Sequence, residues 1–89
     1  MNAQPAVSVC IPAYNAGSTI ADTLKSVCEQ TLRTIEILIV DDGSTDNTYS
    51  VVQSLRDPRM RILKQDNQGP GAARNRLIRE AKGSFLFFS

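Results

Sequence analysis

The run Ile35-Glu-Ile-Leu-Ile-Val40 constrains this chain more than any other feature, because five of its six residues are aliphatic. A strand with one wet face alternates apolar and polar side chains. A nearly continuous aliphatic run belongs instead to a strand covered on both faces, as in parallel sheets sandwiched by helices. The run stops at Asp41-Asp42-Gly43-Ser44. With 89 residues there is room for one domain and a modest core, since chains of this size bury only about 60–65% of their unfolded surface.

The flanking segments supply what such a strand needs. Val7-Ser-Val-Cys-Ile11 is a short β-branched run that Pro12 is expected to close. From Ser18 to Gln30, Ile20, Leu24, Val27 and Cys28 form one helical stripe, with Ser18 or Thr19 as cap and Asp22 in the first turn, where the helix dipole favours an anion. Asp46 or Asn47 can cap a second helix running to about Leu55, which Asp57-Pro58 breaks. Met60 to Lys64 reads as a weaker strand, placed at an edge by its charges. Gln65 to Gly71 is a loop, Ala72 to Lys82 a third helix with Ala73, Leu77 and Ala81 inward, and Phe85-Leu-Phe-Phe88 a fourth strand.

The order β-α-β-α-β-α-β predicts an α/β protein, a three-layer α/β/α arrangement around a Rossmann-like parallel sheet. Right-handed crossovers favour strand order 3-2-1-4, with the first two helices on one face and the third on the other. Ligands of such sheets bind beyond the carboxyl ends of the strands where the order reverses, here between the first and fourth strands. Pro12-Ala-Tyr-Asn15 and Asp41-Asp-Gly-Ser44 both open onto that edge.

Several function classes fall away on composition. There is no histidine, so no Ser-His-Asp triad, Cys-His pair or His-ligated zinc. Cys10 and Cys28 sit in apolar contexts and read as small buried hydrophobes, which suits a reducing, cytoplasmic compartment. The first residues carry neither a basic leader nor a long apolar run. The net charge of +1 hides an asymmetry: residues 1–45 hold two basic and five acidic side chains, and residues 46–89 eight basic and four acidic. A broad nucleic-acid surface is not expected, whereas a local basic site for phosphate is.

Two adjacent carboxylates at the end of the most buried strand need donors, a cation or open solvent. A plain turn followed by a helix cap would also use Asp42, Gly43 and Ser44 or Asp46, but needs fewer polar residues than this stretch offers. Tyr14 can present a flat ring beside Asp42, so that a base stacks on the ring while the carboxylate accepts an N–H from its edge; a loop tyrosine packed on a helix start is the alternative. Gly69-Pro-Gly-Ala-Ala-Arg74 mimics a dinucleotide fingerprint but fails as one, since its sixth position is Arg74 and it follows the third strand rather than the first. Arg74 and Arg76 stand early in the third helix, against the dipole, which points to an anionic partner or else to a solvated basic face with Arg79 and Lys82.

The blocks V-S-V-C-I-P-A-Y-N at 7–15, E-I-L-I-V-D-D-G-S-T-D-N-T at 36–48 and N-Q-G-P-G-A-A-R-N at 67–75 resemble, in order and spacing, the family 2 glycosyltransferases. The resemblance spans residues 7–88 and implies a partial GT-A fold, residues 1–89 being the N-terminal nucleotide-sugar-binding portion of a glycosyltransferase domain. It implies a nucleotide-diphosphate sugar, most often with uridine, as donor. The residue matching Tyr14 stacks near the base, the one matching Asp42 hydrogen-bonds it, and the region from Gly69 to Arg74 lies close to base and diphosphate. The residues expected to hold the nucleotide are Pro12, Ala13, Tyr14, Asn15, Asp41, Asp42, Gly43, Gly69 and Arg74.

Phe85 to Ser89 matches the strand leading into the family's D-x-D metal motif, so this reading has the chain truncated before that motif. The implied parent reaction is inverting displacement at the anomeric carbon, with a divalent cation (Mg or Mn) on the leaving diphosphate and a base on the acceptor hydroxyl of a sugar or lipid-linked acceptor. No catalytic residue and no metal ligand is assigned within the 89 residues, and the fragment is expected to be inactive, cytoplasmic or held at the inner face of a membrane through other parts of its parent. An exposed fourth strand is expected to drive homo-oligomerisation. The competing readings are a stand-alone, non-catalytic nucleotide- or nucleotide-sugar-binding module, and two less fitting ones. A sugar nucleotidyltransferase would bring a basic Gly-rich signature after the first strand, where Ala13 to Gly17 holds no basic residue. A response-regulator-like domain would need an Asp on the third strand, and Met60 to Lys64 has none.

Overall fold

The computed structural model describes residues 5–30 and 35–88, in which strands and helices alternate: β1 (Val7–Ala13), α1 (Ile20–Gln30), β2 (Ile35–Asp42), α2 (Thr48–Leu55), β3 (Met60–Gln65), α3 (Pro70–Glu80) and β4 (Phe85–Phe88). Ser89, expected to extend the last strand, lies outside the described residues. The strands pair in parallel in the order β3-β2-β1-β4, as predicted.

The aliphatic run occupies the centre. Ile37, Leu38, Ile39 and Val40 are all fully buried, because β2 is covered on both faces. Odd-numbered positions of β1 and β2 (Val9, Ile11, Ile37, Ile39) meet Ile20 and Leu24 of α1 and Val52 of α2. Even-numbered ones (Cys10, Leu38, Val40) meet Ala73 and Leu77 of α3. Burying each large aliphatic side chain is worth roughly 1.5–3 kcal/mol, so these two layers fix the register of β1 on β2.

Several boundaries differ from expectation. Pro12 does not end β1: pairing with β2 continues through Pro12↔Val40 to Ala13↔Asp41. α3 begins at Pro70 rather than Ala72, because proline's fixed φ and absent N–H suit the first helical position. It ends at Glu80, with Ala81 half-buried as the capping residue. Thr19 holds the cap position of α1, its carbonyl accepting from Thr23 N, but its hydroxyl turns back to donate to the Ala16 carbonyl, which also accepts from Thr19 N and Ile20 N. At α2, Asn47 holds the cap position without a side-chain bond, and Asp46 Oδ1 accepts from Thr48 N instead. Cys10 is buried and Cys28 half-buried, both free thiols, and burial pushes each above its ordinary value. No helix among the described residues is long and apolar enough to cross a membrane.

Candidate functional site

Over the carboxyl ends of β1 and β2, one strand in from the β1–β4 junction where strand order reverses, lies an open cleft of about 430 Å³. One wall is Pro12, Ala13 and Tyr14, the floor is Asp42, and the far wall is Asn67, Gly69, Pro70 and Ala73. Tyr14 is 53% exposed, so its ring is available to a ligand.

Asp42 ends β2 on the α3 side and is only 4% exposed. Its Oδ1 accepts from Gln65 Nε2 and from Gln68 N, each at 2.9 Å; its Oδ2 accepts from Gly69 N at 2.9 Å and more loosely from Asn67 Nδ2 at 3.4 Å. Burial works to raise its pKa, but the Gln65 amide and the Gln68 and Gly69 N–H groups outweigh it and hold the carboxyl below its ordinary value. The carboxylate therefore strings the loop 65–69 along the cleft while keeping one weakly used acceptor site. Gly43 makes this approach possible: its φ is +70°, and a Cβ there would come within 2.5 Å of Asn67 N.

Asp41 points to the opposite face, as strand alternation requires. It is fully buried; its Oδ1 accepts from Ser44 N at 3.1 Å, and its Oδ2 meets no partner among the described residues. The polar residues that follow are spent on a clasp between two loops. Asn15, left-handed at φ +49°, donates its N–H to Ser44 Oγ at 2.8 Å, and its Oδ1 accepts from Thr45 N at 2.8 Å. Ala16 N donates to Thr48 Oγ1 at 2.9 Å, and Gly17 N to Asp46 Oδ2 at 3.0 Å. The four polar residues that looked like surplus for a helix cap thus hold the loop carrying Tyr14 against the end of β2.

Of the predicted nucleotide-holding residues, the fold brings Pro12, Ala13, Tyr14, Asp42 and Gly69 to one cleft. Arg74 lines an adjoining hollow of about 330 Å³, which shares Pro12 and Pro70 with the first. Asn15, Asp41 and Gly43 are not among the lining residues of either hollow and act on its frame. Pro70 and Ala73 fall within the stretch Gly69 to Arg74 expected beside the base and diphosphate, whereas Asn67 was missed; the available signal was its proximity to Gly69 in the loop. A divalent cation does not fit the residues described. Asp41 and Asp42 face opposite ways, Asp42 is already occupied by four donors, and no cluster of three His, Cys, Asp or Glu among the described residues could hold a metal ion.

A parallel three-layer sheet in this order, with a cleft over its two central strands, defines the class as part of a GT-A glycosyltransferase fold. The chain belongs to the family described as Glycosyl transferase family 2, whose profile matches residues 8–89. It is 40% identical to the Escherichia coli K12 protein named "Uncharacterized glycosyltransferase YibD", over 99% of this chain and 26% of that protein. Among solved structures, S. aureus TarS 1-349 in complex with UDP-GlcNAc aligns with a TM-score of 0.85 and 32% identity, over 92% of this chain and 25% of that one. The mannosyltransferase PcManGT from Pyrobaculum calidifontis, in complex with GDP-Man and Mn2+, aligns with a TM-score of 0.83 and 28% identity, over 94% and 26%. The chain thus spans about a quarter of the length of these proteins.

Proposed function

We propose that these residues form the nucleotide-sugar-binding portion of an enzyme that moves a sugar from a nucleotide-diphosphate sugar, a UDP-sugar, to an acceptor hydroxyl on a sugar or lipid-linked acceptor, with inversion. The observation that carries this reading is the pairing of an exposed Tyr14 ring and the Asp42 carboxylate in one cleft over the carboxyl ends of β1 and β2. Tyr14 stacks on the base, and Asp42 Oδ2 accepts the N–H of the base edge in place of its loose contact with the Asn67 amide. Pro12, Ala13 and Gly69 give the cleft its narrow walls. Asn15, Asp41 and Gly43 keep the two loops in place, and Arg74 meets the diphosphate. In the transfer, the acceptor oxygen attacks the anomeric carbon as the bond from that carbon to the diphosphate breaks. The acceptor proton goes to a base, and the nucleoside diphosphate leaves.

No residue described here has the geometry of that base or of a metal ligand. The 89 residues alone are therefore expected to bind donor without transferring sugar, and the cation, the base and the acceptor site belong to further parts of the parent. The parent works in the cytoplasm or at the inner face of a membrane.

Calorimetric titration with UDP, UMP and ADP tests the nucleotide. UDP is expected to bind more tightly than ADP. Equal binding of all three, unchanged by Asp42→Ala, would overturn the assignment. Release of UDP from UDP-sugar by the 89-residue chain, above a no-protein control, would overturn its inactivity.

A further inference from the structure

Arg76, one of the two cations set early in α3 against the helix dipole, stands half-buried on the side of that helix turned to β3. Its Nη1 donates to the Lys64 carbonyl at 3.1 Å and, more loosely, to Gln65 Oε1 at 3.5 Å. Gln65 ends β3 and is the register partner of Asp42 across the β2–β3 ladder. The other end of its amide, Nε2, donates to Asp42 Oδ1 at 2.9 Å. A guanidinium has only donors and an ionised carboxylate only acceptors, so one orientation of the Gln65 amide satisfies both neighbours. Turned over, the amide would set its oxygen against the carboxylate and its NH₂ against the guanidinium. Neither Arg76 nor Gln65 lines the Tyr14–Asp42 cleft; they stand behind the carboxylate that does.

We propose that Arg76, acting through Gln65, is a positioning residue that sets which base edge Asp42 reads. The proposal rests on the reading of Asp42 as the acceptor for the base, and adds how that carboxylate is kept a pure acceptor. Oδ1 is taken by Gln65 Nε2 and Gln68 N, which leaves Oδ2, with Gly69 N and its loose Asn67 contact, to meet a base. Uracil brings an N–H at its edge, whereas the ring nitrogen of cytosine at the same place is bare and pairs only with a protonated carboxyl. An amide turned over would favour that protonated acid, whose O–H would have the Gln65 oxygen or the cytosine nitrogen to donate to. Without Arg76 the cleft therefore separates the two bases less sharply.

The test uses the 89-residue chain with uridine and cytidine as probes, calorimetry for affinity, and the NMR signals of the Gln65 Nε2 protons for the bridge. Arg76→Met keeps an unbranched side chain and removes its donors. It is expected to shift the Gln65 signals in the ligand-free chain and to lower the uridine-to-cytidine affinity ratio about two- to fivefold, the scale of part of one hydrogen bond. Arg76→Lys, which retains one donor group, should fall between. In a Gln65→Leu background Arg76→Met should leave the ratio where Gln65→Leu alone puts it, since the coupling runs through the amide. A loop merely loosened would weaken both nucleosides alike and keep the ratio. An unchanged ratio, unmoved Gln65 signals, or a full effect of Arg76→Met in the absence of Gln65 would each overturn the proposal. Uridine binding that ignores Asp42→Ala would sink the base reading itself and the role of Arg76 with it. Binding lost in Asp42→Ala, with the ratio unchanged in Arg76→Met, would sink the role of Arg76 alone.

Discussion

Asp42 performs two tasks with one carboxylate, and they separate by substitution. It satisfies the N–H groups of Gln68 and Gly69, and it offers the cleft an acceptor. Asp42→Ala removes both and is expected to weaken uridine nucleotide binding about tenfold or more, a loss of roughly 1–3 kcal/mol. It should also lower stability, since two loop donors lose their partner. Asp42→Asn keeps one acceptor oxygen but sets an NH₂ against N–H donors. Calorimetry should therefore find it nearly as poor a binder as Asp42→Ala. Tyr14 has a simpler role: its hydroxyl has no stated task and its ring does. Tyr14→Phe should bind as the parent does. Tyr14→Leu should lose about 1–3 kcal/mol, the usual worth of one base–ring stack. A Leu variant with unchanged affinity would place the base elsewhere.

At the scale of elements, the turn between α2 and β3 is fixed by Asp57. Its Oδ1 accepts from Arg59 N at 2.8 Å and its Oδ2 from Arg59 Nη2 at 2.9 Å. The Arg59 side chain, then its backbone N–H, hold the Asp57 carboxyl far below the usual carboxylate range. A depressed folded pKa contributes stability that is complete above the unfolded value of about 4 and is lost as pH falls through the folded one. Asp57→Asn is therefore expected to cost about 1 kcal/mol at pH 7, the ion pair being partly screened. In urea titrations the gap between parent and variant should be constant above pH 5 and close below pH 4. A gap that widens in acid would contradict the assignment. The elements themselves were legible because periodicity reports burial: Ile35 to Val40 could only be a doubly covered strand, and Leu24 and Leu77 fall on the inward stripes of α1 and α3. What stayed illegible depended on partners distant in sequence. That Pro12 continues its strand follows from its pairing with Val40, and that Ser44, Thr45 and Asp46 serve a clasp follows from Asn15 and Gly17 arriving beside them. The cleft was half legible for the same reason. Tyr14 and Asp42 announce themselves at strand ends, whereas Asn67 reaches the cleft only because Gly43 lets its backbone approach.

Across the whole molecule the two helical layers are unequal, and β4 lies beyond both. α1 and α2 pack over β1, β2 and β3, and α3 over β1 and β2. On the α1–α2 side this leaves Phe85 72% exposed and Phe87 62% exposed, while Leu86 on the other side is 38% exposed. Among the described residues β4 pairs with β1 alone, so its outer edge presents backbone donors and acceptors next to an uncharged apolar surface, the combination that invites strand-to-strand association. Burying one such ring fully is worth roughly 1.5–3 kcal/mol. Two copies meeting edge to edge would bury both exposed phenylalanines of each and extend the sheet through a two-fold axis. The 89-residue chain by itself is thus expected to be a dimer or larger species at micromolar concentration. Phe87→Lys should return it to a monomer without lowering its thermal stability, because that side chain adds little to the core of a single copy. Phe88 is unsuited to the test, since its ring is half-buried under Arg74. Sedimentation velocity decides between the outcomes: a parent that runs as a monomer, and a Phe87→Lys variant that runs no differently, would show that the edge of β4 is not the site of self-association.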